Sequence, residues 1–541
     1  MKLRNPIGVA FGLLVGTISV GANAQLRDVK DKISGNTVNE GIQKNLAEQI
    51  GAGRGTVNTQ NSSLYIIKRD PFRAIRRGRQ LFQRKFFPSQ GFSGRDRVGN
   101  IHLDPSVGAG VADSCAACHG RPRGSAGFGG DVFTRPDSRD APHLFGLGLQ
   151  EQLGDEITTE LRSIRSAAIA AAQSSGTAQT RTLTSKGINY GTITANPNGT
   201  LNTAGVVGVN ADLRVRPFFV QGGTISIREF LVGAFNAEMG IQSNDPDLVA
   251  AAINRQRVTT PSGMVLDGAL DAIEAPPVTP TSGTDPDGDG VSNEFPQSLV
   301  DFMEFYLLNY FKPATFVPPE LANEVSTGRA LFTTVGCATC HVPSMTINAD
   351  RRVADVETNF SDFTPNDGNT ATDGNPLNRL FAAASARITV VDDPGAEPPL
   401  KNPALQSFVV QNFFADLKRH DLGANFWERN FDGSILRNIM TEPLWGVGTT
   451  PSYGHDGRTH SIEEVIVRHG GEATTARNAF VALSRANKNF VLSFLNSLVL
   501  FGPDDTASNL APINTAAANF PQNGHGSISL TVLFNNTADR E

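Results

Sequence analysis

All four cysteines of the 541-residue chain fall in two short motifs, Cys115-Ala116-Ala117-Cys118-His119 and Cys337-Ala338-Thr339-Cys340-His341. Two thiols at this spacing can add to the two vinyl groups of one haem. The adjacent His then lies under the iron as its proximal ligand. A disulfide or a thioredoxin-type redox pair is the alternative for either motif alone. Two copies, each ending in His and with no other thiol to compete, point to two covalently bound c-type haems. His119 and His341 are the expected iron ligands.

The motifs sit inside an internal repeat. Gly78-Arg79-Gln80-Leu81-Phe82 matches Gly328-Arg329-Ala330-Leu331-Phe332, and each reads as the end of a helix leading toward its Cys motif. Residues 218–229 match residues 453–464 at a constant offset of 235, from Ser226 to Ser461. In both, Ser-x-x-Glu forms a capping box after a Gly-rich turn, so each copy is a turn feeding a helix.

Seven other His remain: His102, His143, His420, His455, His460, His469 and His525. In the second copy the capped helix runs Ile462, Val465, Ile466 and then His469, on the apolar face that would meet a haem. A His placed at a helix C-terminus for its dipole is the alternative. The same offset lands on Ala234 in the first copy, so no His fills that slot there. Glu238 stands one turn later, followed by Met239. An iron open on that side can bind peroxide or oxygen, and a nearby carboxylate can move the proton that O–O cleavage requires. Glu238 is thus the expected catalytic acid/base, a helix-surface acid being the other reading. Met239, His102 and His143 are the competing ligands of the first iron.

The sequence resembles the exported di-haem oxidoreductases, a peroxidase-like family related to the bacterial di-haem cytochrome c peroxidases. The resemblance is carried by residues 141–149 (APHLFGLGL), 233–241 (GAFNAEMGI) and His420-Asp421-Leu422-Gly423. Leu444-Trp445-Gly446-Val447-Gly448, His455-Asp456-Gly457-Arg458 and residues 468–473 (RHGGEA) complete it. It implies that Asn236-Ala237-Glu238-Met239 matches the segment bearing the peroxidases' distal catalytic Glu. It also implies that His469 stands where their electron-transfer haem takes its sixth ligand, usually Met; His there favours a lower potential. Two departures matter. Phe218-Phe219 stands where the peroxidases carry Phe-Trp, with the Trp between their haems. Residues 125–131, where they keep a switching His, have none, and His143 is the nearest.

Other residues carry weaker signals. Asp285, Asp287, Asp289 and Asn293 fall at positions 1, 3, 5 and 9 of a calcium-type loop with Gly290 at position 6. The early Glu294 and Pro296 depart from that pattern, and an Asp-rich turn is the alternative. Arg458 is placed to pair a haem propionate, or to sit in a surface turn. His420-Asp421 lines the second haem's cleft or satisfies a loop. Trp427 and Trp445 read as core residues.

A net charge of −6 excludes a broadly basic nucleic-acid binder. Residues 1–24 read as a signal peptide: Lys2 and Arg4, an apolar stretch, then Ala22-Asn23-Ala24 for cleavage near Ala24. No later stretch reaches about 18 apolar residues, so no membrane span is expected in the mature chain. The expected layout is an N-terminal extension (25–63), an N-terminal catalytic haem domain (64–312) and a C-terminal electron-transfer haem domain (320–505). A tail (506–541) ends the chain, and a helix/β segment at about 155–215 is inserted in the first domain. The fold class expected is mainly α: two cytochrome-c-like haem domains with long loops and small β excursions. The expected function is a periplasmic or secreted peroxidase whose C-terminal haem feeds the N-terminal one. Its electrons would come from an external donor, a small cytochrome or copper protein. A di-haem oxygenase or protein-modifying oxidase, and a pure electron-transfer cytochrome, are the alternatives.

Overall fold

The computed structural model describes residues 46–86, 112–121, 125–129, 140–243, 245–276, 294–355, 387–388, 390–429, 433–500, 510–511 and 527–528. The expected signal segment, His102, His525 and the calcium-loop residues Asp285, Asp287, Asp289 and Asn293 lie outside these. Seven helices position the site: α1 (Pro71–Gln83), α2 (Leu147–Ser175), α3 (Ile227–Met239), α4 (Gln297–Leu308), α5 (Ala322–Thr334), α6 (Ile462–Arg468) and α7 (Arg485–Asn496). Among the described residues, no helix is long and apolar enough to cross a membrane.

The two Gly-Arg-x-Leu-Phe segments do the same packing job. A Cβ on Gly78 would lie 2.2 Å from the Phe302 carbonyl oxygen, and one on Gly328 would lie 1.8 Å from that of Phe490. Only a residue without a side chain lets α1 cross α4, and α5 cross α7, this closely. The aromatic residue four positions on then meets the partner helix: Phe82 lies 6.0 Å from Tyr306 and Phe332 lies 5.4 Å from Phe494 between ring centroids. Arg77 covers the Phe302 ring, while Arg329 lies over Phe414 and Phe494.

The second repeat landmark also holds in three dimensions. Phe218 pairs with Thr224, and Tyr453 pairs with Thr459. Ser226 Oγ accepts from Glu229 N–H at 3.0 Å, and Ser461 Oγ from Glu464 N–H at 3.2 Å. The Glu carboxylates reach back to the backbone N–H groups of Ile225 (2.8 Å) and His460 (3.0 Å). Both capping boxes therefore satisfy the orphan donors of α3 and α6 in the same way.

The expectation of a mainly α fold fails. Helix makes up 39% and strand 18% of the described residues, with many small sheets. Stretches that read as loop pair instead as short antiparallel ribbons. Ser344–Ile347 pairs with Phe408–Gln411, and Arg419–Asp421 with Asn438–Met440. Runs of two to four residues are too short to carry a readable alternation, so their pairing is decided by the tertiary structure. Strands β1 (Gln179–Ser185), β2 (Ile188–Ala195) and β3 (Leu201–Asn202) make one sheet. Lys186 and Gly187, both at positive φ, turn its first hairpin. Leu183, Tyr190 and Ile193 pack on Leu153, Ile157 and Leu161 of α2, which begins at Leu147 rather than near residue 155.

Residues 46–63, the described part of the extension, are anchored by ion pairs and hydrogen bonds. Arg54 binds Asp247 (2.9 Å) and Asp301 (3.0 Å), and Ser63 donates to Asp301 at 2.6 Å. These acids share a buried cluster with Arg228, which pairs with Asp245 at 2.7 Å, Asp301 at 3.0 Å and Glu304 at 2.7 Å. Buried charges persist only when paired this thoroughly.

Two similar segments dock the halves. Phe145-Gly146-Leu147-Gly148 lies against the end of α4, and Trp445-Gly446-Val447-Gly448 against the end of α7. A Cβ on Gly148 would meet Leu308 O at 2.0 Å, and one on Gly448 would meet Asn496 O at 2.3 Å. They also meet each other: Gly146 abuts the Trp445 ring, and Gly446 abuts His143 Nε2.

Candidate functional site

Each Cys motif forms one tight turn that aims a His ring. Cys115–Cys118 is a single helical turn capped by Ser114, whose Oγ accepts from Ala117 N–H at 3.1 Å. Cys337–Thr339 is the matching turn of the second copy. His119 N–H donates to Cys115 O at 2.9 Å and His341 N–H to Cys337 O at 3.0 Å. In each ring Nδ1 faces a backbone carbonyl, Pro142 O at 2.7 Å and Phe414 O at 2.9 Å. A carbonyl can only accept, so Nδ1 carries the proton and Nε2 keeps its lone pair. Burial lowers the pKa of His119 and takes His341 down to about 4, so both rings are neutral at physiological pH, the form a metal ligand needs.

Burial pushes Cys115 and Cys118 up to about 12 and Cys337 up to about 11. The turn, the paired cysteines and the neutral imidazole together fit the attachment of a haem at each motif.

The two copies differ on the other side of the ring. His469 ends α6 and, through Nδ1, donates to Val465 O at 2.7 Å, leaving Nε2 available. Burial lowers its pKa, and its charge is one of the influences holding His341 down, so the two rings share a neighbourhood. Phe426 packs edge-on at 5.0 Å from the His469 ring. In the first copy the matching residue is the half-buried Ala234. Glu238 lies near enough to Cys118 for its charge, after burial, to raise that thiol. Its carbonyl accepts from Ala112 N–H at 3.3 Å, tying α3 to the approach of the first motif. Met239 is buried in the apolar core.

His143 is not available as a ligand. Its Nδ1 accepts from Phe145 N–H at 3.2 Å and its Nε2–H donates to Trp445 O at 3.0 Å, so both nitrogens are committed. Burial takes it to about 4. His420 does reach the second motif, as a fixed cation. Burial opposes its charge, but hydrogen bonds to Asp416, Cys340 and Glu472 carry it up to about 11. Its ring nitrogens lie 2.9 Å from Asp416 and 2.8 Å from Glu472. Cys340 Sγ, Asp416 and His420 offer atoms within 4.8 Å of one another.

Arg458 is largely exposed and lies 3.3 Å from Asp456, which Arg468 also holds at 2.7 Å. Trp445 is buried as expected, whereas Trp427 lies at the surface at 36% exposure and bonds Asp421. Phe219 is 37% exposed and rests on Phe230. Sequence reasoning missed the carbonyls of Pro142 and Phe414 and the Asp416–Glu472 clamp. Pro142, Phe414 and Glu472 are remote in sequence from the rings they hold, and a backbone oxygen carries no residue signature.

The model of the family described as "Di-haem oxidoreductase, putative peroxidase" matches residues 383–498. The match is confined to the C-terminal part of the chain and supports its likeness to the di-haem oxidoreductases, a family that implies haem cofactors. It spans Trp445, the 453–459 turn and His469. No curated protein matches the chain.

Proposed function

We propose that this chain is an exported c-type di-haem peroxidase. The observation that carries the reading is an asymmetry between the two copies: His469 stands close enough to His341 to influence its charge, whereas the repeat offset puts Ala234 in that slot of the first copy, where Glu238 is the acid that acts on Cys118. Cys115 and Cys118 would hold the first haem with His119 beneath its iron. Cys337 and Cys340 would hold the second, between His341 and His469. When bound, the haems supply one-electron redox chemistry and, at the first site, an open iron position for peroxide.

The chain's own residues supply the rest. The Pro142 and Phe414 carbonyls fix the proximal rings and raise their basicity as ligands. Glu238 shuttles a proton from one peroxide oxygen to the other, which makes water the leaving group. His469 closes the second site to substrate, so that half only relays electrons from the C-terminal to the N-terminal side. Arg458 is the residue offered for a propionate, and Asp285, Asp287, Asp289 and Asn293 for calcium. An external donor, a small cytochrome or copper protein, would feed the second half outside the cytoplasm.

The test is cyanide titration of the purified holoprotein with peroxide turnover measured alongside. One haem per chain binding cyanide, with peroxide consumed at the expense of a reduced donor, supports the enzyme. No cyanide binding in either redox state replaces it with an electron carrier.

A further inference from the structure

We propose that electrons cross between the two haem sites through His143, Trp445 and Phe413. The ends of this bridge are the carbonyls that hold the two proximal histidines; the proposal rests on the di-haem reading above. His119 Nδ1–H donates to Pro142 O at 2.7 Å, and one peptide bond joins Pro142 to His143. His143 Nε2–H donates to Trp445 O at 3.0 Å across the docking face. The Trp445 indole meets the Phe413 ring edge to face, with centroids 4.9 Å apart and planes at 76°. Phe413 is bonded to Phe414, whose carbonyl accepts from His341 Nδ1–H at 2.9 Å.

The route is continuous: covalent segments, three hydrogen bonds and one ring contact, with no gap. From Trp445 onward it is also dry, since Trp445, Phe413 and Phe414 are 2%, 0% and 1% exposed, whereas His143 is half-buried and Pro142 exposed. Electronic coupling falls steeply across empty space and more gently through bonded and close-packed atoms. His143 has both ring nitrogens bonded within the protein, which holds it as a rigid link between Pro142 and Trp445. In each transfer one electron leaves the ferrous iron held by His341 and reduces the ferric iron held by His119, with no bond formed or broken. Two such transfers, with two protons, reduce one peroxide to two waters.

The experiment is photolysis of carbon monoxide from the half-reduced holoprotein. Transient absorption follows electron redistribution between the haems, and haem content and both midpoint potentials are measured in parallel. Trp445→Leu and Phe413→Leu are expected to lose the fast redistribution phase with both haems attached and both potentials unchanged. Trp445→Phe and Phe413→Tyr keep a ring at the contact and should retain most of it. Should Trp445→Leu not fold, Phe413→Leu decides, because it keeps an apolar side chain at that position. Wild-type rates in the leucine variants overturn the bridge and leave the di-haem reading intact. A wild type without two covalent haems overturns that reading itself.

Discussion

Gly328→Ala sets two effects of opposite sign against each other. Ala is better than Gly inside a helix by about 1 kcal/mol, so propensity alone predicts a more stable α5. The packing predicts the reverse. The added methyl would sit 1.8 Å from Phe490 O, 2.4 Å from its carbonyl carbon and 3.0 Å from Phe494 Cβ, where an ordinary contact needs about 3.5–4.0 Å. Backbone cannot swing aside, so α5 and α7 must part by well over about 1 Å, which forfeits much of the dispersion well for the groups between them. Phe332, Phe414 and Phe494 all pack there. Overpacking costs about 1–3 kcal/mol, and this contact belongs at the upper end. The net expectation is destabilisation by about 2 kcal/mol, or a fall of about 1 M in the urea midpoint for a slope near 2 kcal/mol/M. Gly154→Ala, in α2, is the control, because its methyl would meet Pro217 and Val215 at 3.4–3.5 Å; it should be neutral or stabilising. Urea unfolding followed by circular dichroism reads both. If Gly328→Ala matches or exceeds the wild type, the close helix crossing is wrong.

His469→Ala should turn the second haem's low-spin signal high-spin and leave the first unchanged; a retained low-spin component means another residue ligates. Glu238→Gln should slow peroxide turnover by about 10²–10⁴-fold with both haems attached, and wild-type turnover would remove Glu238 from the mechanism. His420→Gln removes a cation whose folded pKa, about 11, lies above its ordinary value. That stabilisation is complete below about pH 6.5 and is lost as pH rises through about 11, so the variant's deficit should be largest near pH 6 and shrink by pH 10. With hydrogen bonds to charged groups worth about 1.5–3 kcal/mol, the deficit near pH 6 should be of that order in the unfolding free energy read from urea titrations. An equal deficit at both pH values would mean that His420 is held neutral.

Local chemistry was legible in the sequence wherever one short segment sufficed. The Cys-x-x-Cys-His turns and the paired capping boxes depend on neighbouring residues, and the structure shows both as tight local turns. Offset 235 also led to His469 and Ala234 as opposite numbers. What the sequence hid depends on partners far along the chain. Strands of two to four residues have no periodicity of their own, which is why a mainly α fold was expected. His143 read as a spare ligand because nothing near it announces that the Trp445 carbonyl lies 3.0 Å away. Trp427 read as core, yet Arg437 covers it at the surface at 4.5 Å. His420 read as ambiguous because its clamp, Asp416 and Glu472, comes from two separate segments.

The central claim is that the two sites are unequal, one open and one closed. An electron paramagnetic resonance spectrum of the fully oxidised holoprotein, recorded before and after cyanide, tests it most directly. The account predicts one high-spin and one low-spin ferric haem, with the high-spin signal alone converted by cyanide. Two low-spin haems, both indifferent to cyanide, would contradict it.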